Sequence, residues 1–168
     1  MRRTVGDLFE VAIQLEETAQ ALYSNWQSAF AAETAVAKFW QVYAEDEQRH
    51  ASMLRSTRDR LALEQLAAIA PPDMLGVAVN MLNELQRNPP AVRDLDEAYE
   101  LAHQLEHSEV NTIFEFLLSH VLPEDALFRG SGAQMARKQV SEHTNRLLFE
   151  FPEHLRDAHT RRAIKVSS

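Results

Sequence analysis

The chain of 168 residues, 45% of them hydrophobic, is long enough for one domain with a buried core and no covalent cross-links. Its formal net charge of -8 argues against a general nucleic-acid-binding protein, because phosphate binding requires a positive field. The absence of Cys excludes disulfides, thiolate zinc sites, iron–sulfur clusters and a Cys nucleophile, so any metal must be bound by oxygen and imidazole.

The composition also indicates the fold class and the compartment. Gly and Pro are few, while Ala, Leu, Glu, Gln and Arg, which lose little freedom in a helix, are abundant, and this predicts an all-α protein. The segment Met1 to Glu10 carries charges and lacks the apolar stretch of a signal peptide. No run approaches the roughly 20 apolar residues of a membrane span. We therefore expect a cytoplasmic protein with no membrane partner.

The first predicted helix begins at a capping box formed by Thr4 and Asp7 and continues with helical periodicity from Leu8 to Phe30. Its inward stripe consists of Phe9, Ala12, Glu16, Ala19, Tyr23, Trp26 and Phe30. Glu16 interrupts an otherwise uncharged stripe, whereas Glu17 lies about 100° around the helix and is expected to face solvent. Glu16 is therefore a candidate buried ligand.

The second predicted helix follows a turn near Ala32 to Thr34. From Ala35 no Gly or Pro interrupts the helical pattern before Pro71, so the end of this helix is not marked in the sequence. Its stripe consists of Val36, Trp40, Tyr43, Glu47, His50 and Leu54. Glu47 and His50 form a Glu-x-x-His pair, whose spacing places a carboxylate and an imidazole side by side over one turn.

The next two predicted helices are a short crossover helix and a third long helix. The crossover helix, Asp73 to Arg87, is amphipathic and lies between two Pro-Pro pairs. The third helix runs from about Asp94 to about Ser119, with the stripe Tyr99, Ala102, Glu106, Glu109, Ile113 and Phe116. Glu106 and Glu109 thus fall where core residues belong.

The fourth predicted helix, Ala133 to Phe151, follows a loop that spans Leu122 to Gly132. Its best inward stripe is Ala133, Ala136, Val140, His143, Leu147 and Phe151, which brings the imidazole of His143 inward. We assign residues 1–151 to a four-helix bundle and residues 152–168 to a tail or short docking helix.

The predicted helices form an antiparallel four-helix bundle with a crossover helix between the second and third helices. The inward carboxylates and imidazoles belong to Glu16, Glu47, His50, Glu106, Glu109 and His143. Four carboxylates in one apolar bundle would repel one another unless they were protonated or balanced by cations. Two divalent metals would neutralise them, and this donor set suits iron or manganese, with zinc as an alternative. A buried pair with His or Arg is the other interpretation of Glu16 and Glu106.

The chain resembles the ferritin-like superfamily, and within it rubrerythrin-related proteins that lack a rubredoxin part. The run Ala44 to Ala51, AEDEQRHA, is similar to the second-helix motif of those proteins. Glu16 and Tyr23 are seven residues apart, and Glu106 and Glu109 three apart, as in the first and third helices of the family. The resemblance covers the four bundle helices and implies a ferritin-like bundle that holds two iron ions.

The fourth helix departs from the family pattern, because the expected second Glu-x-x-His pair does not occur. Aligning His143 with the expected His leaves Val140 at the Glu position, whereas aligning Glu142 with the expected Glu leaves Asn145 at the His position. We prefer His143, because its register keeps apolar neighbours in the core, and Glu142 is the alternative. His103, one turn before Glu106, is either a substitute ligand or a hydrogen-bonded core histidine. The alternatives for the site are a weakly held second metal, a single metal or a vestigial site.

The resemblance implies oxidation of Fe(II) by dioxygen or peroxide, or reduction of peroxide, at a carboxylate-bridged site. A peroxidase would need an external electron donor, because the chain has no Cys-x-x-Cys pair for a rubredoxin-type iron. One alternative is a subunit of an iron-storage cage, and we expect a homo-oligomer. Another is a non-catalytic helical module with a degenerate metal site. A hydroxylase would require an apolar access pocket.

Overall fold

The computed structural model describes residues 3–87, 91–106, 113, 114, 116, 117, 151, 155 and 164–166. The named helices in these ranges are α1 (Val5–Ala29), α2 (Thr34–Arg58), α3 (Leu63–Leu66), α4 (Pro72–Arg87) and α5 (Leu95–Glu106). The described residues contain no β-strand, which confirms the predicted all-α class. No helix in the described ranges has the length and apolar character needed to cross a membrane.

Helix α1 starts as the sequence predicts. The Thr4 hydroxyl accepts a hydrogen bond from the Asp7 backbone N–H at 3.2 Å, and the Asp7 carboxylate accepts one from the Thr4 N–H at 2.8 Å. These two bonds satisfy N–H groups that have no partner within the helix. The predicted capping box is therefore confirmed.

Helices α1 and α2 pack side by side in antiparallel orientation. On the surface of the pair, Glu10 of α1 is bound by Arg58 of α2, and Glu17, further along α1, is bound by Arg55, earlier on α2. Residues later in α1 therefore pair with residues earlier in α2, which shows that the two helices are antiparallel. The Glu17 side chain is 48% exposed, which confirms its predicted position towards solvent.

The segment after α2 contains a short helix that the sequence analysis did not predict. Helix α2 ends at Arg58, well before the first Pro of this region, and α3 follows. The chain then returns to the start of α1, where the Val5 N–H donates to the Ala68 carbonyl at 2.9 Å and the Ala70 N–H to the Arg3 carbonyl at 3.1 Å. These two hydrogen bonds connect the segment after α3 to the start of α1.

Helix α4 is the predicted crossover helix, with nearly the predicted bounds. Leu75, Ala78 and Leu82 are its buried residues, spaced three and four apart on one face. That face packs against α1. The predicted third helix is α5, and residues 113, 114, 116 and 117 beyond it are also helical. The predicted fourth helix lies outside the described residues except for Phe151.

The described core consists of two clusters. The leucine-rich cluster is formed by Val5, Leu8, Phe9, Ala12, Ile13, Leu15, Leu54, Leu61, Ala70, Leu75, Ala78, Leu82, Ile113, Phe114 and Leu117. The aromatic cluster is formed by Tyr23, Trp26, Phe30, Val36, Phe39, Trp40, Tyr43, Ala44, Leu95, Ala98, Ala102, Phe151 and Leu155. Helices α1 and α2 contribute to both, so the two clusters occupy successive levels along the same helix pair.

Part of the predicted tail packs against the start of α5. Leu155 is buried in the aromatic cluster. The Leu95 N–H donates to the Ile164 carbonyl at 3.1 Å, and the Val166 N–H donates to the Arg93 carbonyl at 3.2 Å. These residues beyond position 151 therefore contribute to the core. The division of the chain into residues 1–151 and 152–168 stays a prediction.

Candidate metal centre

Buried polar residues lie where the two core clusters meet. On α1, Glu16 lies between the leucine-rich part and the aromatic part of the helix; on α2, Glu47 and His50 occupy the same boundary. Glu106 follows the aromatic-cluster residues of α5. We call Glu16, Glu47, His50 and Glu106 the polar layer; each is at most 6% exposed. Three helices therefore bring polar side chains to one level of the core.

Glu16, Glu47 and His50 are in direct contact. The Nδ1 atom of His50 lies 3.1 Å from Glu47 Oε2 and 3.4 Å from Glu16 Oε2. One potential ligand atom from each of the three residues lies within 4.8 Å of the others. The predicted Glu-x-x-His pair thus does meet the predicted carboxylate of the first helix.

Glu106 approaches the same site from α5 and is held by a tyrosine. The Tyr23 hydroxyl donates a hydrogen bond of 2.7 Å to Glu106 Oε1. Burial and the nearby charges of Glu106 and Glu47 raise the pKa of Tyr23 well above its ordinary value. The hydroxyl therefore keeps its proton at neutral pH and remains a donor to the carboxylate.

A small cavity joins these groups. It has a volume of about 30 Å³, and the three carboxylates, the Tyr23 ring and four apolar side chains line it. The apolar members of the lining are Leu15, Ala19, Leu85 and Leu105. A volume of this size holds about two water-sized species, since one needs roughly 10–15 Å³.

The electrostatics of the polar layer are unfavourable without a cation. Burial raises the pKa of Glu47 well above its ordinary value, as do the charge of Glu16, the hydrogen bond to Glu16 and the charge of Glu106. In the metal-free protein the raised pKa favours the protonated form of the Glu47 carboxyl group, which is hydrogen-bonded to Glu16. A bound divalent cation would replace that proton and offset the repulsion.

The donor atoms fit a transition-metal ion. For metal–ligand bonds of about 2.1 Å, two neighbouring donors of a tetrahedral or octahedral ion lie roughly 3.0 to 3.4 Å apart. The separations of 3.1 and 3.4 Å from His50 Nδ1 to the two carboxylates match this spacing. Carboxylate oxygen and imidazole nitrogen together suit iron, manganese or zinc.

The structure describes four of the six predicted ligands. It brings Glu16, Glu47 and His50 together and places Glu106 on the same cavity. Glu109 and His143, with the alternative Glu142, fall outside the described residues. His103 is partly buried beside Tyr99, with ring centroids 6.5 Å apart, and is not among the described residues that line the cavity.

Sequence reasoning missed two features of this region. Asp46 is also buried, at 4% exposure, and pairs with Arg49 one turn later on α2. The spacing of three residues was the available signal for this pair. Leu85 lies on the apolar face of the crossover helix, and only the tertiary structure shows that it lines the cavity.

The aromatic residues near the site are core residues. Tyr23 stacks on Trp40 at 5.7 Å with an interplanar angle of 8°, and it meets Trp26 and Tyr43 edge to face. All four side chains are at most 2% exposed. The indole N–H of Trp40 is buried and has no hydrogen-bond partner among the described residues. The packing fixes the position of the Tyr23 ring.

Comparisons with known proteins address the fold. No protein-family model matches the chain, and a search of curated proteins gives no significant match. A solved structure from Thermotoga maritima, described as that of a candidate ferritin-like diiron-carboxylate protein, is similar with a TM-score of 0.62 and 20% sequence identity. The similarity covers 91% of this chain and 97% of that one. At this identity the likeness shows the fold alone, and the chain has a ferritin-like fold.

Proposed function

We propose that the polar layer binds two divalent metal ions, with iron as the first choice, and that the protein oxidises Fe(II) with peroxide or dioxygen, or reduces peroxide. The observation that supports this most is the contact of two buried carboxylates with one imidazole beside a third carboxylate. A buried group of like charges is costly unless cations balance it.

The described residues suggest how the ligands are shared. Glu16, Glu47 and His50 would hold one ion, because His50 Nδ1 lies at the required spacing from both carboxylates. Glu106 and one of the two other carboxylates would bridge to the second ion. Glu109 and His143 remain proposed ligands of that ion on the basis of the family resemblance.

Bound iron would supply reversible one-electron oxidation between its divalent and trivalent states. The polypeptide supplies carboxylates that would balance the changing charge, and His50 would supply an imidazole nitrogen. Tyr23 holds Glu106 through its hydroxyl group and limits the positions open to that carboxylate. The apolar lining restricts water at the site.

The similar solved structure also favours iron. The description of that protein names a diiron-carboxylate site. If this chain works as a peroxidase, it draws electrons from an external donor, since it contains no Cys for a second iron centre. A cytoplasmic location and assembly into a homo-oligomer are further parts of the proposal.

Peroxide consumption by Fe(II)-loaded protein tests this function. Glu47→Gln removes a carboxylate of the polar layer without changing its size, and Glu45→Gln makes the same change at an exposed position two residues away. Under anaerobic conditions, wild type and Glu45→Gln should consume hydrogen peroxide and lose Fe(II) at equal rates. Glu47→Gln should be slower by at least about tenfold, since loss of a group that orients the metal already costs 10- to 100-fold.

Equal rates in the three proteins would contradict the proposal. Wild-type protein that binds no metal under these conditions would instead favour the non-catalytic module with a degenerate site. Metal analysis of the same samples distinguishes the two results.

A further inference from the structure

Two antiparallel bridges hold the starts of α1 and α5. Thr4, directly before α1, pairs with Ile69. Asp94, directly before α5, pairs with Lys165. In both bridges the first residue of the helix donates its backbone N–H to the segment that pairs with it. Both helices are therefore tied at their starts by backbone hydrogen bonds to residues that are distant in the sequence.

The two bridges lie at opposite ends of the described core and at equal distances from the polar layer. Val5 belongs to the leucine-rich cluster, and Leu95 belongs to the aromatic cluster. Glu16 follows the bridged residue of its helix by twelve positions, and so does Glu106. At a rise of about 1.5 Å per residue, each carboxylate lies about 18 Å along its helix from the bridge. Each bridge can therefore set the level at which one carboxylate enters the core.

Helix α5 has few large side chains that could fix its position by packing. Its buried residues in the described range are Leu95, Ala98, Ala102 and Glu106. Alanine side chains interlock little with their neighbours, so they restrict sliding of the helix along its axis only weakly. Hydrogen bonds depend on distance and angle and define a position more sharply. The level of Glu106 therefore depends on the hydrogen bonds at the start of α5.

Ile164, Lys165 and Val166, which we call the C-terminal segment, provide these hydrogen bonds. The Ile164 carbonyl accepts from the Leu95 N–H at 3.1 Å, and the Val166 N–H donates to the Arg93 carbonyl at 3.2 Å. Ile164 and Val166 are partly buried against the aromatic cluster, whereas Lys165 is exposed. This alternation is typical of an extended segment with one face on the core. The segment is thus held by its backbone and by its side chains.

The first turn of α5 connects the bridge to the rest of the helix. Asp94 Oδ1 accepts a hydrogen bond from the Glu97 N–H at 3.0 Å, and Glu97 Oε2 accepts one from the Arg93 N–H at 2.8 Å. The Arg93 side chain also pairs with the Glu97 carboxylate. The residues bound by the C-terminal segment are therefore joined to the helix at several points, and the continuous helix extends from them to Glu106.

We propose that the C-terminal segment positions Glu106 in the metal centre, so that Ile164 and Val166 are positioning residues for the bound metal. This inference rests on the proposed function. The Tyr23 hydroxyl orients the carboxylate, and the C-terminal segment sets the level of the backbone that carries it. A shift of the helix by about 1 Å is enough to weaken metal binding, since ligands must lie within about 0.5 Å of the productive geometry.

Val166→Pro tests the positioning role. Pro has no N–H, so the hydrogen bond to Arg93 is lost, while Pro favours the extended conformation that the preceding residue already has in the bridge. Affinity for Co(II) should fall by about tenfold, the lower end of the range for residues that orient ligands. Lys165→Ala changes an exposed side chain, keeps both hydrogen bonds and should bind Co(II) as wild type does. Equal losses in the two variants would overturn the proposal.

The loss of affinity should also depend on Glu106. In a Glu106→Gln background, Val166→Pro should lower the affinity for Co(II) by less than about a further twofold, because the side chain through which the segment acts is no longer a carboxylate. A full tenfold loss in that background would show that the segment stabilises the fold in general, and it would reject the positioning role.

Hydrogen exchange in the metal-free protein provides a readout that needs no metal. Val166→Pro should speed exchange of the amides of residues 99–106 by about tenfold or more, while the amides of α2 keep their wild-type rates. Equal acceleration in both helices would contradict the proposal. If Val166→Pro does not fold, Val166→Ala, which keeps the hydrogen bond but weakens the packing, should show the same pattern with a smaller amplitude.

The Co(II) titration distinguishes failure of the proposed function from failure of the positioning role. If wild type binds no Co(II), the proposed function is wrong, and Glu106 has no metal for which the segment could position it. If wild type binds Co(II) while the folded variants keep wild-type affinity and exchange rates, the positioning role alone is wrong. A tenfold loss of affinity with faster exchange confined to α5 is the result that we expect.

Discussion

The two clusters of the core contribute different things to the site between them. The aromatic cluster supplies the Tyr23 hydroxyl that binds Glu106. The leucine-rich cluster supplies Leu15 to the cavity wall and Phe114 against the His50 ring, with centroids 4.9 Å apart. The aromatic cluster therefore positions a carboxylate, and the leucine-rich cluster limits the space around the site.

The Tyr and Trp rings of the aromatic cluster have a specific role at the site. Tyr23 is in contact with Trp26, Trp40 and Tyr43, whose planes lie at 66°, 8° and 77° to its own. Rings packed at several angles leave one position for the hydroxyl group. Aliphatic side chains carry no polar group, but they fill the remaining space and exclude water from it.

Truncation of a buried side chain in either cluster should have the largest effect on stability. Trp40→Ala should destabilise the protein by about 3–5 kcal/mol, and Leu75→Ala in the leucine-rich cluster by about 2–5 kcal/mol, because both side chains are buried. Only Trp40→Ala should also weaken metal binding, since it removes the ring on which Tyr23 stacks. Denaturant unfolding and Co(II) titration measure the two effects. Equal losses of metal affinity in both variants would contradict the contrast.

The raised pKa of Glu47 makes the stability of the metal-free protein depend on pH. The pKa of Glu47 is raised in the folded state, so the folded protein holds this proton more tightly than the unfolded chain does. Its stabilising effect is complete below the ordinary Glu pKa and is lost as pH rises through the raised pKa. Glu47→Gln should remove this loss and stabilise the metal-free protein at neutral pH by about 1–4 kcal/mol.

Urea unfolding between acidic and neutral pH in the presence of a chelator measures this effect. Glu45→Gln is the control, because its side chain is exposed. A wild-type protein whose stability rises over this pH range by more than that of Glu47→Gln would show that the sign is wrong.

Removal of one hydroxyl group should have a smaller effect. Tyr23→Phe keeps the ring in the aromatic cluster but leaves Glu106 without its donor. We expect metal affinity to fall by about 10- to 100-fold, the range for residues that orient ligands. Tyr99→Phe, which changes a partly buried tyrosine outside the described cavity lining, should leave the affinity unchanged. Equal affinities of Tyr23→Phe and wild type would assign Tyr23 a packing role alone.

The smallest effect is expected at the surface of the helix pair. Arg55 binds Glu17 across α1 and α2, and both side chains are well exposed. Arg55→Ala should therefore change the free energy of unfolding by less than about 1 kcal/mol. Metal affinity should be unchanged. A change in affinity of tenfold or more would mean that the surface pair positions the polar layer.

The sequence predicted the parts of the site that depend on helical periodicity. Glu16, Glu47, His50 and Glu106 could be identified because each interrupts an apolar stripe, and all four are buried. The end of α2 and the existence of α3 could not be predicted, because no Gly or Pro marks them in the sequence.

The cavity required the tertiary structure for a similar reason. Its lining combines residues of α1, α2, α4 and α5, and periodicity within one helix does not show which faces meet. The buried Asp46 lies beside the predicted stripe of α2 and pairs locally with Arg49, so the stripe alone did not indicate it. Glu109 and His143 stay predictions.

The central claim is that buried carboxylates at the junction of the two clusters bind divalent metal. The most direct test is the unfolding of wild type, Glu16→Gln and Glu17→Gln with and without Co(II). At a Co(II) concentration about 100 times the dissociation constant, wild type and Glu17→Gln should gain about 2.7 kcal/mol of stability for each ion bound. Glu16→Gln should gain much less. An equal gain in all three proteins, or no gain in wild type, would contradict the claim.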